Sequence, residues 1–96
     1  MNKKLKTAKQ MERHLKGIAN HYRIDVLLLM AERDGRTLEN IIEAIGANEK
    51  TIGAHVRYLN QAGLIQKKYR GRFVEHRLSP YGKIFVRFLM SFQSTR

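Results

Sequence analysis

Cysteine and tryptophan are absent from this 96-residue chain, proline occurs once, and only eight residues are acidic. Without cysteine there can be no disulfide, no thiolate metal site and no cysteine nucleophile. The shortage of carboxylates leaves a two-metal nuclease without its ligands. No glycine-rich phosphate loop follows a strand pattern, and no serine stands in a nucleophile setting, so the chain does not read as an enzyme and implies no cofactor. Long apolar runs are missing as well. Val26-Leu-Leu-Leu-Met-Ala31 falls far short of the roughly 18 residues of a membrane span. The opening Met1-Asn-Lys-Lys-Leu-Lys has no signal-like apolar stretch, which predicts a cytoplasmic protein with no membrane partner.

Positive charge is what the chain has in quantity, at a formal +11. It is unevenly spread. Residues 1–48 hold nine Lys/Arg against six acids, whereas residues 49–96 hold ten against two. In the second half only Glu75 interrupts Lys50, Arg57, Lys67, Lys68, Arg70, Arg72, Arg77, Lys83 and Arg87. A polyanion is the natural partner of such a segment, because neutralising phosphates releases condensed counterions. With 43% apolar residues the chain is nevertheless expected to fold, as one domain over 1–96 with a basic N-terminal arm at 1–6.

Periodicity outlines that fold. Ala8, Met11, Leu15, Ile18 and Ala19 recur at helical spacing, with Gly17 weakening the helix slightly. A second helix is predicted over 22–33, apolar around most of its circumference and therefore central. Gly35 supplies a stop. Thr37 caps a third helix, with Leu38, Ile41, Ile42 and Ile45 inward, and Gly46 ends it. Asn48 caps a fourth helix over 48–62, with Ile52, Val56 and Leu59 inward, and Gly63 closes it. Two strands, 64–69 and 73–78, flank an Arg70-Gly71-Arg72 turn. Ser79-Pro80 begins a last helix over 80–93, striped with Tyr81, Ile84, Phe85, Phe88, Leu89 and Phe92. The fold class is mainly α (α+β): a winged helix-turn-helix with a two-stranded wing and an additional C-terminal helix.

These residues resemble the arsenic-repressor-type (ArsR) family of transcription regulators over roughly residues 15–90. Ile18-Ala-Asn-His-Tyr-Arg-Ile-Asp-Val-Leu-Leu-Leu29 resembles the family's "L-A-(D)-(P)-x-R-L-x-I-L-x-L" opening. Leu38–Gly46 looks like its positioning helix, and Thr51-Ile-Gly-Ala-His-Val-Arg-Tyr-Leu59 is similar to its "T-V-S-x-H-L-x-x-L" recognition helix. Asn60-Gln-Ala-Gly-Leu-Ile65 is similar to the "x-x-A-G-L-V" that leads into its wing. Leu78-Ser-Pro-Tyr-Gly82 also resembles the "L-T-x-x-G" that opens the last helix of multiple-antibiotic-resistance-type and some archaeal regulators. The resemblance implies DNA binding but no metal switch. The Cys-x-Cys of the metal-sensing branch is missing at Asn40–Glu43, and the clustered Asp and His of its other site are missing from residues 80–96. Gly53 and Ala54 alter the reading face.

The expected partner is double-stranded DNA, bound by helix 48–62 in the major groove and by wing 66–77 on the backbone or in the minor groove. The N-terminal half of such a helix meets base edges. Lys50 suits guanine O6/N7, the methyls of Thr51 and Ala54 suit a thymine methyl, and Gly53 lets the backbone sit deep. Glu49 either accepts from cytosine N4 or complements the helix N-terminus. His55 is either a phosphate or base donor, or a half-buried residue packed on the positioning helix. Arg57 is placed for phosphate, and Tyr58 for packing. Arg70 and Arg72 suit either a minor groove or plain phosphate contact. Lys67 and Lys68 alternate along a strand, so one of the two should face DNA. Arg36 and Thr37 are placed to reach the backbone.

The first and last helices carry more apolar surface than their own core needs. In the resembled family these helices pair two protomers, which predicts a homodimer through Met11, Leu15, Ile84, Phe85, Phe88, Leu89 and Phe92. The aromatic supply leaves room for an unidentified small-molecule effector between the first, second and last helices. His14, His21 and Asp25 lie at helical spacing but make too small a set for a metal. The competing reading of the whole is a non-specific architectural DNA-binding protein.

Overall fold

The computed structural model describes residues 4–95; the start of the predicted basic arm, residues 1–3, lies outside the described residues. Helix α1 (Ala8–Ile18) starts at a capping box, in which Thr7 Oγ1 accepts from Gln10 N and Gln10 Oε1 accepts from Thr7 N. Of the predicted apolar stripe α1 buries only Ile18. His14, Gly17 and Ile18 point inward, while Ala8, Met11, Leu15 and Ala19 stay exposed. The reason is close approach: a Cβ on Gly17 would stand 2.8 Å from Ala62 Cβ and 2.9 Å from Leu64 Cδ1. Gly17 lets α1 lie directly against the neighbouring chain, which outweighs its poor helix propensity.

Asn20 caps α2 (His21–Glu32) by accepting from Tyr22 N and Arg23 N. Val26, Leu27 and Met30 are fully buried, and α2 is the central element, packed by α1, α3, α4, α5 and β2. Ala31, near its C-terminal end, is exposed. Asp34 Oδ1 closes the following turn by accepting from Gly35 N and from Leu78 N, 44 residues further on. Arg36 then pairs its backbone with His76, so this short segment lies along the outer edge of the wing.

Thr37 caps α3 (Leu38–Ile45) and Asn48 caps α4 (Glu49–Gln61), as the sequence predicts. Strands β1 (Ile65–Arg70) and β2 (Phe73–Leu78) pair antiparallel, from Ile65 opposite Leu78 to Arg70 opposite Phe73. The turn is therefore the two residues Gly71-Arg72, with Arg70 still in the strand. Gly71 has φ of 61°, the first central position of a turn whose twist matches the strands.

Ser79 Oγ accepts from Gly82 N and caps α5 (Pro80–Gln93) at its Ser-Pro start. Val86 and Leu89 face the core, with Phe85 half-buried beside them, and Tyr81, Ile84, Phe88 and Phe92 look outward. The core joins these residues to Ile41, Ile52, Val56, Leu59, Leu64 and Ile65.

Candidate nucleic-acid interface

Recognition helix α4 is amphipathic in the predicted sense. Ile52, Val56 and Leu59 are buried, leaving Lys50, Ala54 and Arg57 exposed and Thr51, Gly53 and His55 half-exposed. Glu49 sits exposed in the first turn, where the helix dipole favours its charge. An added Cβ on Gly53 would meet nothing within 4 Å, so the protein itself does not require glycine there. The missing side chain leaves space on the outer surface.

A groove of about 400 Å³ runs between α4 and the wing. Gly53, Arg57 and Asn60 form one wall, Lys67, Arg72 and His76 the other, and Thr37 stands at the α3 end. Arg57, Lys67 and Arg72 make no ion pair among the described residues. The other side of the hairpin differs. Glu75 takes Arg70 at 3.4 Å and Arg77 at 3.1 Å, and Lys68 lies opposite Glu75 in the register. Strand alternation thus sends Lys67 toward α4 and Lys68 toward the face that Glu75 partly neutralises.

Two placements change the sequence reading of the backbone contacts. Arg36 is only 8% exposed; its guanidinium donates to Arg33 O at 2.9 Å and Asn40 Oδ1 at 2.7 Å. It braces α3 from inside and is not available to a phosphate, because its backbone is fixed against His76. Thr37 remains half-exposed at the groove, its Oγ1 accepting from Asn40 N.

His55 packs against α2, not against α3. Its ring stacks on Tyr22 with centroids 5.4 Å apart, and Arg23 Nη1 donates to its Nδ1 at 3.1 Å. The proton is thereby assigned to Nε2, the nitrogen free to donate outward. Burial, then the charges of Arg23 and His21, push its pKa below the ordinary value, so the ring is neutral near pH 7. Arg23 also donates to Gly17 O and Lys16 O, finishing α1, and lies 4.1 Å over the Tyr58 ring. Sequence reasoning missed this hub. Its signal was present, since Arg23 is the arginine of the "x-R-L" opening. His76 is only 4% exposed, its Nδ1 has no partner, and burial followed by Lys67 lowers its pKa against an opposing pull from Glu39.

Two exposed aromatics on the wing were also missed: Tyr69, 73% exposed, and Phe73, 63%. Both had read only as strand formers. Their interleaving with Lys67, Lys68, Arg70 and Arg72 was the available signal.

Away from the groove, Met11 and Leu15 on α1 and Ile84, Phe88 and Phe92 on α5 expose large apolar side chains. Leu89 leaves the predicted interface set, because it is buried in its own protomer's core, and Phe85 packs half-buried against that core. The helical period decides this: residues 82, 86 and 89 share the inward face of α5. His14 is turned into the protein, donating Nδ1–H to Ala62 O at 2.8 Å and packing on Tyr81. One depression, about 480 Å³, lies between α2, α3 and α5 beside Leu28, Leu29, Ile45 and Met90, and another, about 550 Å³, lies between α1 and the start of α5 beside Gln10, His14 and Tyr81. Among the described residues no helix is long and apolar enough to cross a membrane.

Comparison with known proteins agrees with this architecture. HlyU from Vibrio cholerae superposes with a TM-score of 0.82 at 17% identity, covering 96% of this chain and all of that one, a likeness of fold. The homodimeric winged helix-turn-helix DNA-binding domain of Mb0332 from Mycobacterium bovis has a TM-score of 0.74 at 29% identity, covering 88% of this chain and 76% of that one. BpsR of Bordetella bronchiseptica, whose DNA binding is regulated by 6-hydroxynicotinic acid, has a TM-score of 0.71 at 17% identity, covering 88% and 73%. No curated protein matches the chain. The model of the arsR family of bacterial regulatory proteins matches residues 20–67, from the cap of α2 to the start of the wing. The chain belongs to the arsR family and is a winged-helix DNA-binding transcription regulator.

Proposed function

We propose that this regulator binds specific double-stranded DNA sequences as a homodimer, with α4 in the major groove and the wing on the backbone or in the minor groove. The observation that carries the reading is the groove of unpaired cations: Arg57, Lys67 and Arg72 converge between α4 and the wing, none of them in an ion pair among the described residues, and outnumber the one carboxylate of the groove, Glu39 at its α3 end. Charges placed so are solvated in the free protein and neutralise phosphates in the complex. Base reading falls to Lys50, Thr51 and Ala54 at the exposed N-terminal end of α4, with Gly53 admitting close approach. Arg57, Lys67, Lys68, Arg70, Arg72, Thr37 and the Nε2–H of His55 serve the backbone. The chain acts by binding, not by catalysis.

Dimerisation is supported by the apolar face of α1 and α5, by the Phe88–Phe92 stack exposed on it, and by the homodimeric Mb0332 neighbour. Two recognition helices about one DNA turn apart, roughly 34 Å, would match a palindromic site. Selection from a random duplex pool tests this directly. A two-fold symmetric consensus, bound about 10³-fold or more over random DNA at physiological salt, is the expected result. A ratio near one would assign the chain to architectural binding instead.

A further inference from the structure

We infer that the wing tip is an aromatic wedge, in which Phe73 and Tyr69 press into the minor groove and open a deformable base step. The inference rests on the DNA-binding reading and adds deformation of the duplex to it. Phe73 opens β2 and Tyr69 precedes the last residue of β1, so the rings flank the Gly71-Arg72 turn, one on each face of the hairpin. At 63% and 73% exposure they stand mostly in solvent, and neither stacks on another ring among the described residues.

Hairpin stability does not account for both. Tyr69 faces Val74 across the strands, an ordinary aromatic–β-branched pair. Phe73 faces Arg70, whose guanidinium is already directed to Glu75. Nor would an α1–α5 dimer cover them, since the tip lies at the opposite end of β2 from Ser79 and the start of α5. Two large rings exposed together at one tip and rimmed by polar residues mark an interaction site.

The charge around them selects that occupant. Lys67, Lys68, Arg70 and Arg72 lie within three residues of one ring or the other. A two-residue turn keeps the tip narrow, as a minor groove only about 6 Å wide demands. Apolar side chains at such a place replace lost base stacking and bend the duplex toward the major groove. Pyrimidine–purine steps unstack most easily, so a TA or CA/TG step is expected where the wing lands. Arg72 holds the phosphates on either side, and the rings hold the step open.

The test uses the full chain and a duplex that it selects from a random pool. One copy of that duplex carries 2-aminopurine at the steps facing the wing; another carries a donor and acceptor at its ends. Wild-type protein should raise the 2-aminopurine fluorescence severalfold and shorten the end-to-end distance. The Tyr69→Ser/Phe73→Ser variant should bind about tenfold more weakly, with both signals lost and the salt slope unchanged. Phe73→Leu should keep both signals. Arg72→Ala should keep the distortion while reducing the salt slope by about one. Both rings are exposed, and circular dichroism checks that the variants fold. A double variant that bends DNA like wild type overturns the wedge. So does wild-type binding to a straight, stacked duplex, which would leave the DNA-binding reading intact. Failure of wild type to bind any duplex removes both.

Discussion

Two surfaces of this protein stay open in the single chain, and for opposite chemical reasons. The α4–wing groove is lined by cations that water solvates well, so leaving Arg57, Lys67 and Arg72 uncovered costs little. The α1–α5 face exposes Met11, Leu15, Ile84, Phe88 and Phe92, which water solvates poorly. The first surface can wait for a partner that is only sometimes present. The second favours a partner that stays. The proposed dimeric regulator, meeting DNA reversibly and its own copy lastingly, would need both kinds of surface.

The largest effect should come from spoiling the apolar side. Phe88→Asp/Phe92→Asp should give a monomer in equilibrium sedimentation. Affinity for a two-half-site duplex should then drop about 10²- to 10³-fold, with single half-site affinity little changed, because the loss is one of bivalency. A variant that stays dimeric would detach this face from assembly.

Next is Gly17→Ala, at the junction that joins the two regions. Its methyl must displace Ala62 or Leu64, and thermal or urea unfolding should show a loss of about 1–3 kcal/mol. Wild-type stability would mean that α1 can slide along α4, and that the two surfaces are only loosely connected.

Smaller again is the effect of single cations in the groove. Arg57→Ala or Arg72→Ala should each weaken binding about tenfold at low salt, equally for all sequences, and reduce the salt slope by about one. Replacing Arg70, which shares Glu75, should do less. Equal effects would dissolve the distinction between the two sides of the wing.

The smallest effect is on pH. His55 and His76 both have pKa values held below the ordinary value near 6.5 by burial and nearby positive charge. As pH falls through the unfolded value, the unfolded chain takes up protons that the native rings refuse, so stability declines on acidification below about 6.5. Denaturant midpoints from pH 7.5 to 5.5 would follow the decline. His76→Phe should flatten it, and an unchanged slope would acquit His76.

The fold was largely legible because it is marked by local chemistry. Thr37, Asn48 and Ser79 cap helices as their types predict, and Gly35, Gly46, Gly63 and Gly71 all take positive φ. What escaped were relations between distant residues. The apolar period of α1 is real, but the period does not tell whether the protomer's own core or something else covers it; Gly17 and His14 settled which face turns inward. Leu89 read as part of an outward stripe because Phe85, Phe88 and Phe92 surround it in sequence, while Phe88 beside it points about 100° away around the helix axis. Arg36 looked like a phosphate ligand because a lone arginine before a helix carries no mark of the Asn40 and His76 that occupy it. The site's reading residues were named from α4 itself. Its inner support, Arg23 on Tyr58 and His55, is built from the packing of α2 on α4.

Helix α4 is seated along its length by Ile52, Val56 and Leu59, and hydrogen bonds from other elements tie down its C-terminal end. Arg13 and His14 from α1 grip Gln61 O and Ala62 O, and Ser79 Oγ before α5 donates to Gly63 O just beyond. At the opposite end Lys50 is exposed and Thr51 half-exposed, while Ile52 beside them is fully buried. Thirteen helical residues span about 20 Å. The grip at its root comes from the same two elements that expose the apolar face, so whatever packs on that face bears directly on how the rod is seated.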